Sequence, residues 1–395
     1  MTTTRATTGR RQSFTLPGLA PDAAAPTGVR IGEKFFYTSA IPGRDPATGR
    51  LGETADEQFD LAFANLRRFL DLAGASPDDV GYLTVFIPDP SFRPAINPPW
   101  LRMFPEADRR PARKTTQHGL PDGHLVQLQA FGVVGGRRQV LELPGITHRD
   151  PLPVGVRIDD LVYTSVLGGQ DPARGGAVAE GPREQLRLAF ENLLGLVAGA
   201  GGSAEEIAHV WVFLKDFAHH DLMIERWLET FPQDGQRPAR KTIRYDLPGD
   251  TLVQLQATAV LGDGRVNLEV PGIGHHDPIP LATRTRNILI SSGVAGHSQA
   301  NYQLGKDLEE QTAMMFDNVR TLLELAGGGL DDVAHVTILL RDYADRAVLD
   351  RHWRAAFPDP GNQPARYEMT LGLPGDAMRI QAHVIAVLPQ VETRP

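Results

Sequence analysis

One succession of apolar and polar positions runs through this chain three times. It opens with two short segments, Val29-Arg30-Ile31 and Phe35-Phe36-Tyr37-Thr38-Ser39. Their counterparts are Val156-Arg157-Ile158 with Leu161-Val162-Tyr163-Thr164-Ser165, and Thr283-Arg284-Thr285 with Ile288-Leu289-Ile290-Ser291-Ser292. Short β-rich segments a few residues apart predict a strand hairpin. A polar Gly/Pro loop follows, then apolar residues at helical spacing: Phe63, Leu66, Phe69 and Leu70; Phe190, Leu193 and Leu196; Phe316, Val319 and Leu322. Each such stretch stops at Ala73-Gly74, Ala200-Gly201 or Ala326-Gly327, where glycine suits a helix C-terminus. Next comes a β-rich strand (Leu83–Ile87, Val210–Leu214, Val336–Leu340). A shorter helix then carries an aromatic pair at i, i+4: Trp100/Phe104, Trp227/Phe231 and Trp353/Phe357. That spacing points to core packing rather than to a cleft lining. Each copy closes with a Pro-Ala-Arg strand, a Leu-Pro turn and a last strand. The predicted order is ββαβαββ, an α+β unit on a mixed or mainly antiparallel sheet.

The clearest marker of the repeat is Pro111-Ala112-Arg113-Lys114. It returns as Pro238-Ala239-Arg240-Lys241 and, altered, as Pro364-Ala365-Arg366-Tyr367. Arg113 to Arg240 is 127 residues and Arg240 to Arg366 is 126. A fixed long period means one supersecondary unit used three times. The copies fall at 9–135, 136–262 and 263–395, the last with a C-terminal tail, behind a flexible tail at 1–8. Their joins, Gln139–Leu143 and Val266–Val270, read as strands rather than linkers, so the copies should pack against one another.

Composition narrows the chemistry. The 395 residues carry a net charge of -8 with no basic patch, which argues against a nucleic-acid partner. Cysteine is absent, so disulfides, thiolate zinc sites and cysteine nucleophiles are excluded. No apolar run is long enough for a membrane helix, and the Thr/Arg-rich first residues show no secretory pattern. The expectation is a cytoplasmic protein with no membrane partner. Gly199-Ala200-Gly201-Gly202 and Gly327-Gly328-Gly329 follow helices rather than opening them, so they read as helix stops and not as phosphate loops.

The ordered series resembles the RidA/YjgF family, also called the reactive-intermediate deaminase or L-PSP endoribonuclease family. The residues that carry the resemblance are Thr38-Ser39, the helix with Gln58, Asn65 and Ala73-Gly74, the strand followed by Asp89, Asp216 or Asp342, and Pro-Ala-Arg followed by Leu-Pro. The resemblance implies a chorismate-mutase-like fold in which a trimer has been fused into one chain. Sheets would line the inside of this pseudo-trimer, helices the outside, and three clefts would lie between repeats. It further implies that Arg113, Arg240 and Arg366 clamp a substrate carboxylate, for which a planar guanidinium fork is suited. Ser39, Ser165 and Ser292 would sit near the ligand, or simply bond locally on their strands.

The departures from that family pattern matter as much. Its water-positioning glutamate matches Gln127, Gln254 and Arg379, so no copy keeps the carboxylate, and an amide takes no proton at neutral pH. Its cleft asparagine matches Asn97 in the first copy only, with Ile224 and Asp350 in the others. Its loop tyrosine has no match in Pro21-Asp22-Ala23-Ala24 or in the His148 and His275 loops. The clefts are therefore expected to differ, with one or two specialised. His148/Asp150 and His275/Asp277 offer a histidine oriented by a carboxylate as a general base. The plainer reading is an Asp-Pro turn beside a solvated histidine. His118 and Tyr245, five residues past an arginine, either face a cleft or lie at a strand edge. No metal or other cofactor is expected, since two ligands per loop are too few.

The resulting expectation is a small-molecule enzyme acting on a carboxylate-bearing imine or enamine, repurposed as a hydrolase, isomerase or cyclase because the glutamate is gone. A non-catalytic binding or chaperone-like module and a chorismate-hydrolase-like enzyme stay open as alternatives. The pseudo-trimer should be complete in one chain, with further dimerisation open.

Overall fold

The computed structural model describes residues 10–19 and 24–389. The tail expected at 1–8, the loop positions Pro21, Asp22 and Ala23, and residues 390–395 lie outside the described residues. The first repeat runs β1 Arg11–Phe14, β2 Gly28–Ile31, β3 Phe35–Thr38, β4 Ile41–Pro42, α1 Ala55–Leu72, β5 Val80–Ile87, α2 Asn97–Met103, β6 Ala112–Gln117 and β7 Gln127–Val133. The predicted order holds, with β1 and β4 added. No described helix is long and apolar enough to cross a membrane.

α1 starts where Thr54 accepts a hydrogen bond from the Glu57 amide, and Asp56 and Glu57 place negative charge in its first turn. Both features favour a helix N-terminus. It ends before Gly74, whose φ of 67° is cheap only for glycine. Its buried stripe includes Phe59, Phe63, Leu66, Phe69 and Leu70, each contributing about 1.5–3 kcal/mol by burial. Two polar residues share that stripe and pin loops against the sheet. Asn65 Nδ2 donates to the carbonyls of Pro42 at 3.0 Å and Arg44 at 2.8 Å. Gln58 Nε2 donates to the carbonyls of Gly52 and Gly123, and its Oε1 accepts from Leu125 N–H. Asn192 and Asn318, Gln185 and Gln311 repeat these bonds in the other copies. Asp89, Asp216 and Asp342 are likewise structural, each capping the short helix after its strand.

The sheet order is β1-β2-β3-β7-β5-β6 with β4 paired to β7, and both other repeats show the same order. Only β5 and β6 run parallel; the remaining neighbours are antiparallel. β5 is buried at every position, as a strand covered on both faces must be. One face packs on the repeat's own helices, with Leu83, Val85 and Leu128 against Phe59, Leu66 and Trp100. The opposite face joins a core shared by all three repeats, where Ile31 and Tyr82 meet Ile158, Tyr163, Ile290 and Ile385. Sheets thus surround a common axis and helices lie outside.

The junctions between repeats repeat in cyclic order. Ser165 Oγ accepts from Arg113 N–H at 3.0 Å, Ser292 Oγ from Arg240 N–H at 3.0 Å, and Ser39 Oγ from Arg366 N–H at 2.9 Å. A second set of ties comes from the leading strand of each repeat. Arg138 donates to Arg110, Asp78 and Val80 carbonyls of repeat 1. Arg265 donates to Ala204, Ile207 and Gln236 carbonyls of repeat 2. Arg11, 1% exposed, donates to Leu330, Val333 and Asn362 carbonyls of repeat 3. The ring therefore closes through the first described residues of the chain.

Register overturns one sequence expectation. Gln127 pairs with Phe86 and Gln254 with Phe213, while the third repeat places Gln381, not Arg379, opposite the equivalent Leu339. Arg379 N–H bonds to Gln311 as Leu125 N–H does to Gln58, so Arg379 lies two positions earlier. Its guanidinium pairs with Asp345 at 2.8 Å. All three copies keep an amide at this position, and the expected Gln/Gln/Arg asymmetry does not exist.

Candidate functional site

Three clefts lie where the β6-type strand of one repeat meets the next repeat. The first, of about 480 Å³, joins repeats 1 and 2. The second, of about 820 Å³, joins repeats 2 and 3. The third, of about 370 Å³, joins repeats 3 and 1. A smaller axial cavity of about 70 Å³, lined by Tyr82, His209, Trp211 and His383 among others, touches none of the cleft arginines.

Each cleft is organised by the Pro-Ala-Arg arginine. Proline fits the start of the edge strand, where its missing N–H breaks no ladder. The guanidinium then lies over the indole of its own short helix: Arg113 on Trp100 at 4.6 Å, Arg240 on Trp227 at 4.6 Å and Arg366 on Trp353 at 4.8 Å. This cation–π contact fixes where the charge sits. The tryptophans are fully buried, as their spacing predicted. Burial pulls Arg113 and Arg240 down to about 10, so both stay charged at neutral pH.

The arginines differ in what else they touch. In the first cleft Asp150 lies 3.0 Å from Arg113 Nη2 without hydrogen-bond geometry. Asn97 accepts from Arg113 Nη1 and donates to Asp150, both at 3.1 Å. In the second cleft Asp277 pairs with Arg240 Nη2 and also receives His220 Nε2 at 3.2 Å. Burial opposes ionisation of Asp277, yet His220 and Arg240 hold its carboxyl below the usual range. Arg240 Nε and Nη1 are buried without a hydrogen-bond partner among the described residues. In the third cleft Arg366 Nη2 meets two carboxylates, Asp350 at 2.7 Å and Glu368 at 2.8 Å. Ile224, which stands where Asn97 does, packs on the repeat 2 core.

The histidine–aspartate reading changes here. Asp150 and Asp277 face the arginines and do not orient His148 or His275, because a guanidinium is the stronger charge-assisted partner. Both histidines line their clefts, and their Nε2 atoms have no hydrogen-bond partner among the described residues. Burial first, then neighbouring cations, pushes each imidazole down to about 4, so both are neutral at pH 7. The serines are junction residues. Ser165 and Ser292 spend their hydroxyl protons on the carbonyls of Pro153 and Pro280, each at 2.7 Å. Ser39 lines the third cleft with Gln127. His118 bonds Tyr367 at 2.6 Å and lines none of the three clefts, while Tyr245 lines the first cleft and accepts Gln117 N–H at 2.6 Å.

Sequence reasoning assigned no role to the residue after each arginine. Successive strand side chains point to opposite faces, so Lys114 runs the other way, onto the sheet of repeat 2. Its Nζ lies 3.2 Å from Gln254 Oε1, 4.0 Å from the Phe213 ring and 4.9 Å from the Tyr245 ring. Lys241 Nζ donates to Gln381 Oε1 of repeat 3. Neither lysine meets a carboxylate among the described residues, and burial pulls both down to about 7. In the third repeat Tyr367 takes this position and stacks on Phe86 at 3.9 Å. The available signal was a lysine, twice, directly after the Pro-Ala-Arg arginine.

A family model described as Endoribonuclease L-PSP matches residues 19–134, 149–261 and 279–388. A RutC family protein of Pyrococcus abyssi is 28% identical over 119 residues, covering 29% of this chain and 92% of the relative. A 3-aminoacrylate deaminase RutC of Acinetobacter baylyi is 34% identical over 98 residues, covering 24% of this chain and 75% of the relative. A solved chorismatase structure covers 78% of this chain and 93% of its own, with a TM-score of 0.55 and 13% identity, a likeness of fold.

Proposed function

This chain belongs to the endoribonuclease L-PSP family, and on that premise we propose that it is a small-molecule enzyme acting on a carboxylate-bearing imine or enamine. The second cleft is its main site, the first a lesser one. One observation carries the reading: Arg240, 1% exposed, holds a buried positive charge with Nε and Nη1 unpartnered beside the largest of the three clefts. Buried donors of a charged group are costly to leave unpaired. A ligand carboxylate supplies the missing acceptors and shares the guanidinium with Asp277. The third cleft is already neutralised by Asp350 and Glu368, so it is a relic in this reading. The deaminase name of the Acinetobacter relative supports the same class of reaction, release of ammonia from an enamine acid.

Each residue has a role in this proposal. Arg240 orients the substrate by its carboxylate. Gln381 orients a water or an amine but takes no proton. Lys241, with a pKa about 7, is able to give and accept one at working pH. The ring is taken to be complete in one chain. Ammonia release from an imino acid made in situ by an amino-acid oxidase tests this reading. Arg240→Ala should remove most of the acceleration and Arg366→Ala should leave it; equal losses would overturn the assignment.

A further inference from the structure

We propose that Lys241, and Lys114 in the first cleft, are covalent amine nucleophiles that form an imine with the carbon bearing nitrogen or oxygen in the bound acid. The inference deepens the function proposed above and rests on it. Three observations converge. Each lysine sits on the residue next to the carboxylate-binding arginine and lines the same cleft. Each Nζ is held by the amide of the neighbouring repeat rather than by a carboxylate. In the second cleft one imidazole, His275, is close enough to feel both Lys241 and Arg240, so the amine and the guanidinium flank a common space. A lysine desolvated without a counter-ion is the form in which an amine attacks.

The step balances without another reactant. The neutral Lys241 amine adds to the substrate C=NH carbon, and its two N–H protons pass in turn to the departing nitrogen. Ammonia leaves and a lysyl C=N bond forms. Water then adds to that carbon, the amine is released, and a carbonyl acid is the product. An amide in place of a base suffices, since the amine replaces activated water as the first nucleophile. The reverse direction gives the same imine from a 2-oxo acid by loss of water.

The test uses the full chain with pyruvate and sodium cyanoborohydride near pH 7.5, followed by peptide mapping of the reduced N-alkyl lysine. Lys34, Lys215 and Lys306 are the internal comparison, since the chain holds only five lysines. Modification at Lys241, with Lys114 second, should exceed that at Lys34 and Lys306 on the order of tenfold or more, since an amine desolvated beside a carboxylate-binding arginine is the better nucleophile. Uniform modification of all five, or none, overturns the covalent role. Calorimetric titration of pyruvate on the same protein separates the two proposals. Binding that Arg240→Ala removes, without an adduct, leaves the cleft reading standing and sinks the nucleophile. No binding and no adduct sinks both.

Discussion

Lys241 is a buried amine that meets no carboxylate among the described residues, and its removal should stabilise the protein in a pH-dependent way. Its pKa falls from 10.5 to about 7 through burial. A folded pKa below the unfolded one means that unfolding takes up protons between those values, so stability rises with pH across that window. The penalty is full below about pH 7 and gone above about 10.5. Each pKa unit is worth about 1.4 kcal/mol, so the lysine costs the fold about 4 kcal/mol at pH 7 and about 2 kcal/mol less at pH 9. Methionine conserves the volume at a cost below about 1.5 kcal/mol, although Gln381 Oε1 then loses its donor, at about 1–3 kcal/mol. Lys241→Met should therefore be more stable than the parent at pH 6.5, and the gap should close by about pH 9. Thermal and guanidinium midpoints of both proteins, taken every half pH unit, measure it. Two parallel pH curves would refute the reasoning, because they would mean that Lys241 keeps an ordinary pKa through a carboxylate or water contact.

Other substitutions probe the junctions and the clefts. Arg240→Ala should weaken pyruvate binding by about tenfold or more, the worth of a charge-assisted bond, while Arg366→Ala leaves calorimetric affinity within about twofold. Ser292→Ala removes the acceptor of the buried Arg240 N–H and should lower stability by about 1–3 kcal/mol in denaturant titration. Arg11→Ala strips three carbonyls of their charged donor at a cost of about 3 kcal/mol or more. Limited proteolysis should cut it faster than Arg138→Ala, whose junction is also held by the continuous chain.

The repeat architecture was legible because three copies keep the same spacing of apolar positions, and the strand and helix order follows from it. The cleft arginines were legible for the same reason. Arg379 was misplaced because Gln381-Ala382 reads like Gln129-Ala130 and Gln256-Ala257, whereas the strand register sets Gln381 level with Gln127. The resulting slip is two residues, which returns every side chain to the same face, so alternation gives no warning. The roles of Asp150 and Asp277 were misread because their partners lie on the preceding repeat. The lysines were overlooked for a related reason: what makes Lys114 unusual is Phe213 and Gln254, more than ninety residues away along the chain.

The closure of the ring by Arg11 creates a seam. Two junctions are bridged by continuous chain, but the junction of repeats 3 and 1 is held by non-covalent contacts alone. If that seam parts, the freed face of repeat 3 in one molecule fits the freed face of repeat 1 in another. Such head-to-tail contacts need not close, so they extend into open filaments rather than into a defined dimer. The damaged form of this protein should therefore be a ladder of whole-chain multiples, begun at one end of the polypeptide.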